Sequence, residues 1–183
     1  MNLNKIAEES RASIEHDDLK TLLPIIASIN PKNILEIGTW KGYSAETWIR
    51  AFNPIQLFTL EKDSVSIIDY TIPRGRNPEF EFLYNSDSHD EKILERIKRD
   101  LEEVDFLFID GDHSEEGVRK DFEMYSPLVR KGGVIVFHDV VYTSPDPLSP
   151  VMVKPLWDEL KLQYPYVEIK AGKNSTGIGL IWV

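Results

Sequence analysis

Two short polar clusters hold the ionisable groups best placed to do chemistry. Asp110-Gly-Asp-His113 puts three such groups within four residues directly after the apolar run Val104-Asp-Phe-Leu-Phe-Ile109, and His138-Asp139 follows Val134-Ile-Val-Phe137. Each run reads as a buried strand, so both clusters fall at strand carboxyl ends, where open α/β sheets bind ligands. If the two strands are parallel neighbours, Asp110, His138 and Asp139 converge and offer oxygen and nitrogen ligands to a divalent cation such as Mg2+. A catalytic role for Asp110 or His113 follows from the same convergence. The competing readings are local: acids that solvate a turn, a packed histidine, an aspartate that contacts backbone.

A second constellation surrounds Asn33-Ile-Leu-Glu-Ile-Gly-Thr-Trp-Lys-Gly-Tyr-Ser44. Ile34, Leu35 and Ile37 suit a strand buried on both faces, Gly38 and Gly42 allow a tight turn, and an amphipathic segment follows. Strand, loop and helix in that order present glycine backbone and unpaired N–H groups to a cofactor. Glu36 is an acid inside the apolar strand; it is either a ligand-binding group or a solvated strand end, because a buried acid is costly unless paired. Gln56-Leu-Phe-Thr-Leu-Glu61 ends in a second acid, which can accept hydrogen bonds from ribose hydroxyls or, with Asp63, simply favour a helix start.

These groups need a scaffold, and the rest of the chain supplies one. Asp17 and Asp18 precede Leu19, Leu22, Leu23, Ile25, Ile26 and Ile29 at helical spacing, with Pro24 as a kink or break and Asn30-Pro31 as the stop. Residues 1–16 suggest another helix, either a lid or a surface element. Tyr43, Trp48, Ile49 and Phe52 share a helical face. Glu79-Phe-Glu-Phe-Leu-Tyr84 alternates like a strand near an edge, and Asn85-Ser-Asp-Ser-His89 opens a helix that Asp87 or Ser88 caps. Ser114 caps a further helix that runs until Lys131-Gly132-Gly133. Residues 141–155, rich in proline and serine, read as a loop beside the site. A helix around Leu156, Trp157 and Leu160 then leads to two strands joined as a hairpin across Ala171 to Thr176.

Composition sets the class. A chain of 183 residues, 42% hydrophobic, has room for one globular domain with a sizeable core and none for a second. A formal net charge of −10 leaves no cationic surface for nucleic acid. Zero cysteines exclude disulfides and thiolate chemistry. No apolar run approaches membrane-spanning length, and the start lacks a signal-peptide core, so a soluble, cytoplasmic protein is expected.

The set Glu36-Ile-Gly-Thr-Trp-Lys-Gly-Tyr-Ser44, Glu61, Asp87-Ser88, Asp110-Gly-Asp-His113 and Gly133-Val-Ile-Val-Phe-His-Asp139 resembles, in order and placement, the class I S-adenosylmethionine-dependent methyltransferases. The likeness is to the small-molecule O-methyltransferases of the catechol O-methyltransferase and the cephalosporin-hydroxylase and macrolide sugar methyltransferase groups. It covers about residues 17 to 183. It implies a Rossmann-like three-layer α/β fold with a seven-stranded mixed sheet whose last strand is antiparallel. It also implies S-adenosyl-L-methionine as cofactor, with Gly38, Trp40, Gly42 and Ser44 around the methionine part, Glu61 on the ribose, and Asp87 and Ser88 by the adenine. Asp110, His138 and Asp139 fall at the family's metal-ligand positions, and His113 falls where relatives carry a Lys or His that takes the substrate proton. His138 departs from the Asp or Glu usual there.

The activity so implied is methylation of a small hydroxyl-bearing acceptor such as a sugar or secondary metabolite, with divalent-cation assistance. Homo-oligomer partners could complete the acceptor pocket. Two other classes compete. A nicotinamide oxidoreductase is disfavoured because residues 38–43 read Gly-Thr-Trp-Lys-Gly-Tyr and lack Gly-x-Gly-x-x-Gly. A non-catalytic cofactor-binding module would need neither His113 nor the second polar cluster.

Overall fold

Seven strands lie in one sheet: β1 (Asn33–Ile37), β2 (Gln56–Leu60), β3 (Phe80–Leu83), β4 (Val104–Ile109), β5 (Val129–His138), β6 (Tyr166–Ile169) and β7 (Ile178–Trp182), in the order β3-β2-β1-β4-β5-β7-β6. The computed structural model describes residues 2–63, 79–101 and 103–183. Strands β1 to β5 pair in parallel, and β7 runs antiparallel to both β5 and β6. The mixed sheet with its antiparallel last strand is the one the sequence implies. Strand β1 pairs with β2 on one side and β4 on the other, so the chain reverses its direction of advance at β1. The crevice at that reversal is where such sheets bind ligands.

The strands alternate between two apolar layers. Ile34, Phe106, Phe108, Val134 and Val136 pack with residues of α1 (Leu3–Glu9), α2 (His16–Ala27) and α3 (Tyr43–Phe52). Leu35, Ile37, Leu107, Ile109, Ile135 and Phe137 pack with α4 (Glu91–Asp100), α5 (Glu115–Tyr125) and α6 (Lys154–Leu160). The period of two along each strand assigns its residues to opposite faces, which makes a three-layer α/β/α arrangement. Trp48 anchors the first layer, with its ring edge-on to Phe106 and Phe108 at centroid distances of 5.2 and 5.3 Å.

The local readings need three adjustments. Helix α2 runs unbroken through Pro24, and Ser28 closes it by donating to the carbonyls of Pro24, Ile25 and Ile26. Helix α4 begins at Glu91, with Asp90 and not Asp87 or Ser88 accepting from the Lys92 N–H. Helix α5 ends at Tyr125 in a 3-10 turn, well before the glycine pair, and β5 starts at Val129. The register explains the glycines: Val104 pairs with Val129 but Phe106 with Val134, so residues 130–133 form an outward kink in β5. A Cβ on Gly133 would sit 2.9 Å from the Asp105 carbonyl oxygen, which is why that strand needs glycine there.

Candidate active site

The turn after β1 is built for close approach. Gly38 has φ of 95°, and a Cβ on it would lie 2.0 Å from the carbonyl oxygen of Asp110, so the loops after β1 and β4 touch at this point. Gly42, at φ 82°, enters α3 without a side-chain cap, leaving the first helical N–H groups facing the turn. Trp40, also left-handed at φ 43°, donates its backbone N–H to Glu61 Oε2 at 2.6 Å, and the Asp63 N–H donates to Glu61 Oε1 at 3.0 Å. Glu61 is thus held by two backbone donors at the end of β2, with lone pairs left for a ligand.

A cleft of about 380 Å³ opens over these loops. Of the residues expected around a cofactor, Gly38, Trp40, Ser44, Glu61, Asp87, Ser88 and Asp110 line it. Asp87 accepts from the His89 N–H at 2.9 Å and pairs with Lys62 at 2.9 Å, and these two hold its carboxyl below the usual range. The lining also includes residues to which the sequence assigned no cofactor contact, among them Ala12, Ser13, Ile14, Thr39, Tyr43, His89 and Gly111. The segment between α1 and α2 therefore reaches the cleft, while α1 itself does not.

Glu36 and Gly42 stand behind the wall rather than in it. Glu36 is fully buried and accepts from Trp48 Nε1 at 2.8 Å and Thr59 Oγ1 at 2.7 Å. Burial pushes its carboxyl up to about 7, although hydrogen bonds from Thr59, Ser44 and Trp48 oppose the shift. Thr59 also meets the Thr39 hydroxyl at 2.5 Å, so Glu36 braces two cleft residues, Thr39 and Ser44, from beneath.

The two polar clusters converge as their strand positions require. His113 Nε2 lies 3.2 Å from Asp110 Oδ1, and its Nδ1 lies 3.0 Å from Asp139 Oδ2. Asp110, His113 and Asp139 each offer a ligand atom, all within 4.8 Å of one another. His138 stands beside this trio, with Nδ1 3.1 Å from Asp110 Oδ1 and 3.5 Å from Asp139 Oδ1. The sequence placed His138 in the ligand set and His113 outside it; the three-way cluster holds His113. Its hydrogen bonds to Asp110 and Asp139 outweigh burial and push the His113 pKa up to about 10. Burial raises the Asp139 carboxyl, but His113, His138 and Thr176 overcome it and bring the group to about 2. Asp110 is likewise lowered, since both imidazoles outweigh its burial. The backbone of the loop after β5 fixes the arrangement, because the Met152 N–H donates to the His113 carbonyl at 2.7 Å.

On the far side of Asp139 lies an open groove of about 630 Å³, lined by Ala12, Ser13, Ile14, Glu15, His16, Asp17, Asp18, Lys20, His138, Asp139, Asn174 and Thr176. Ala12, Ser13 and Ile14 line both cavities. Asp18 fixes the groove's outer edge by accepting from the N–H groups of Ala171 and Gly172 at 2.6 and 3.1 Å.

A mixed sheet with its cleft at the reversal of strand order, an acid at the end of β2 and an antiparallel seventh strand defines a Rossmann-like α/β fold of the cofactor-binding class. The comparisons place the chain within that class. Residues 35–140 match the methyltransferase domain family, and the chain belongs to it. It is 26% identical, over 76% of its length and 60% of the relative's, to a candidate caffeoyl-CoA O-methyltransferase of Arabidopsis thaliana. The chain spans only part of its curated relatives: 60% of that plant protein, and 24% and 27% of two others. In fold it is similar to the O-methyltransferase TomG of Streptomyces achromogenes, solved with S-adenosylmethionine, at a TM-score of 0.70 and 24% identity over 99% of this chain and 88% of that one. It is also similar to the mycinamycin-pathway methyltransferase MycE, solved with Mg, S-adenosylhomocysteine and mycinamycin VI, at 0.67 and 19% over 100% and 53%. Among the described residues no helix is long and apolar enough to cross a membrane.

Proposed function

We propose that this chain is an S-adenosylmethionine-dependent O-methyltransferase for a small hydroxyl-bearing acceptor, assisted by a divalent cation. One observation carries the reading: Asp110 lines the cleft that holds Glu61, Asp139 lines the neighbouring groove, and His113 bridges these two carboxylates. Methyl transfer from a sulfonium is an in-line displacement, so donor and acceptor must enter from opposite sides of one point. The two cavities supply those sides. Family membership supports the same reading, as do the S-adenosylmethionine bound in the TomG structure and the Mg and S-adenosylhomocysteine bound in the MycE structure.

In this reading Gly38, Trp40 and Ser44 surround the methionine part of the cofactor, Gly42 turns the chain into α3 behind them, Glu61 binds the ribose hydroxyls, and Asp87 and Ser88 flank the adenine. Glu36 acts from behind, by fixing Thr39 and Ser44. Asp110, Asp139 and His113 fit a hard divalent cation through their oxygen and nitrogen donors and their separation. When bound, such an ion would lower the pKa of the acceptor hydroxyl. His113, with a pKa of about 10 between two carboxylates, carries a proton at neutral pH in this arrangement. That proton stands where a cation would sit, which favours His113 as the third member of the cation set over a free general base. His138 then supports Asp110 from the side. The polar lining of the outer groove suits a polyhydroxyl acceptor such as a sugar.

Calorimetric titration with S-adenosylhomocysteine, with Mg2+ and with chelator, tests both parts. Saturable nucleoside binding is expected, together with Mg2+ binding that Asp139→Asn removes. A folded chain that binds no S-adenosylhomocysteine would overturn the cofactor reading.

A further inference from the structure

Asp121, on α5, is fully buried, and among the described residues neither of its carboxylate oxygens has an aligned hydrogen-bond donor. Such a group is costly, so its neighbours show what it serves. Oδ1 lies 3.1 Å from Nε2 of His89, and a Cβ added to Gly111 would lie 3.4 Å from Oδ2. His89 and Gly111 both line the cofactor cleft, with Asp87 and Ser88.

The His89 ring is also close to a second acceptor, since the Gly117 carbonyl lies 3.3 Å from the same Nε2. With two acceptors beside it, Nε2 is the ring nitrogen that donates, and in that tautomer Nδ1 is the acceptor. The surrounding segment is fixed in place: the His89 N–H donates to Asp87 at 2.9 Å, and the Tyr125 hydroxyl donates to the Ser88 carbonyl at 2.7 Å.

We propose that Asp121 is a positioning residue that, together with the Gly117 carbonyl, sets the His89 tautomer, so that Nδ1 accepts a hydrogen from the exocyclic amine of the cofactor's purine. The cleft then selects a 6-aminopurine and rejects a 6-oxopurine, whose carbonyl oxygen would face a lone pair. The proposal rests on the reading above that the Asp87–Ser88 end of the cleft receives the purine.

The test compares the affinities of S-adenosylhomocysteine and S-inosylhomocysteine, by calorimetry, for the wild type, His89→Phe and Asp121→Asn. The wild type should prefer the adenosyl compound by about tenfold or more. His89→Phe keeps a ring of similar size without the acceptor and should lose about tenfold of that preference. Asp121→Asn keeps the Gly117 carbonyl as an acceptor but can set an amide donor against Nε2, which favours the opposite tautomer, and should lose about threefold or more of it. If both variants bind the two nucleosides more weakly by the same factor and keep the wild-type ratio, Asp121 and His89 are only structural supports and the proposal fails. Equal affinities in the wild type overturn it as well. A wild type that binds neither nucleoside instead overturns the cofactor reading beneath it, so the two failures are distinguishable.

Discussion

Replacing Glu36 by Gln isolates the cost of a charge buried beneath the cleft. The folded carboxyl titrates at about 7 against a reference of 4.5. A raised acid pKa means that the folded chain holds this proton more tightly than the unfolded chain, so stability falls as pH rises from the lower value through the higher one and levels off above it. The shift corresponds to about 3 kcal/mol when both states are fully ionised, and roughly three quarters of that is lost between about pH 5 and about pH 8.5. The Glu36→Gln side chain is neutral throughout, and its amide can accept from Trp48 while the Thr59 and Ser44 hydroxyls turn to accept from it. Urea unfolding of both proteins at several pH values gives the difference in stability directly. The variant should gain on the wild type by that amount as pH rises. Parallel stability curves would show that Glu36 titrates normally in the fold, and the argument from burial would be wrong.

Glu61→Gln removes charge-assisted hydrogen bonds and should weaken S-adenosylhomocysteine binding by about 1.5–3 kcal/mol in calorimetry, with little change in the unfolding midpoint; unchanged affinity counts against the ribose role. Asp110→Asn and Asp139→Asn should each abolish Mg2+ binding while nucleoside binding persists, and heat of Mg2+ binding retained in both would remove the cation site. His113→Gln should lower Mg2+ affinity far more than His138→Gln does, and the reverse order would return His138 to the ligand set. Phe106→Ala should cost about 3–5 kcal/mol in urea unfolding, because Trp48 and Phe52 lose the ring they pack against.

The strand and helix pattern was legible because burial on both faces leaves continuous apolar runs, as in Val104–Ile109 and Val134–Phe137. Acids at strand ends were enough to place Glu61, Asp110 and Asp139 at one edge. Contacts made across the sheet were harder to read. Glu36 is bound by Trp48 and Thr59, which lie twelve and twenty-three positions away, so its burial could not be told from solvation by local pattern. The glycines at 132 and 133 looked like a helix stop because the register jump they serve belongs to the pairing of β4 with β5. The start of α4 was misplaced because Asp87, Ser88 and Asp90 are all good caps, and only backbone geometry chooses Asp90. His89 carried a signal of its own, an imidazole in a run of short polar residues at a strand end, but nothing local shows the carboxylate behind it on α5. The notion of a lid from residues 1–16 was open for the same reason; Ala12, Ser13 and Ile14 line the cleft beside a buried hydroxyl pair at 2.7 Å that ties Ser10, just after α1, to Thr47 of α3.

The position of His113 links these observations into one functional geometry. Asp110 belongs to the inner cleft and Asp139 to the outer groove, and among the described residues the two share the strap at Ala12, Ser13 and Ile14. The imidazole spans the gap, 3.2 Å from one carboxylate and 3.0 Å from the other. In the proposed reading, a methyl group passing from a cofactor in the cleft to an acceptor in the groove would travel beside this bridge. The bridge is also where the loops after β4 and β5 are tied, through the Met152 N–H and the His113 carbonyl. The Met152 N–H thus fastens the 141–155 segment to the loop that carries His113, while Glu36, Thr39 and Thr59 brace the cleft side from beneath.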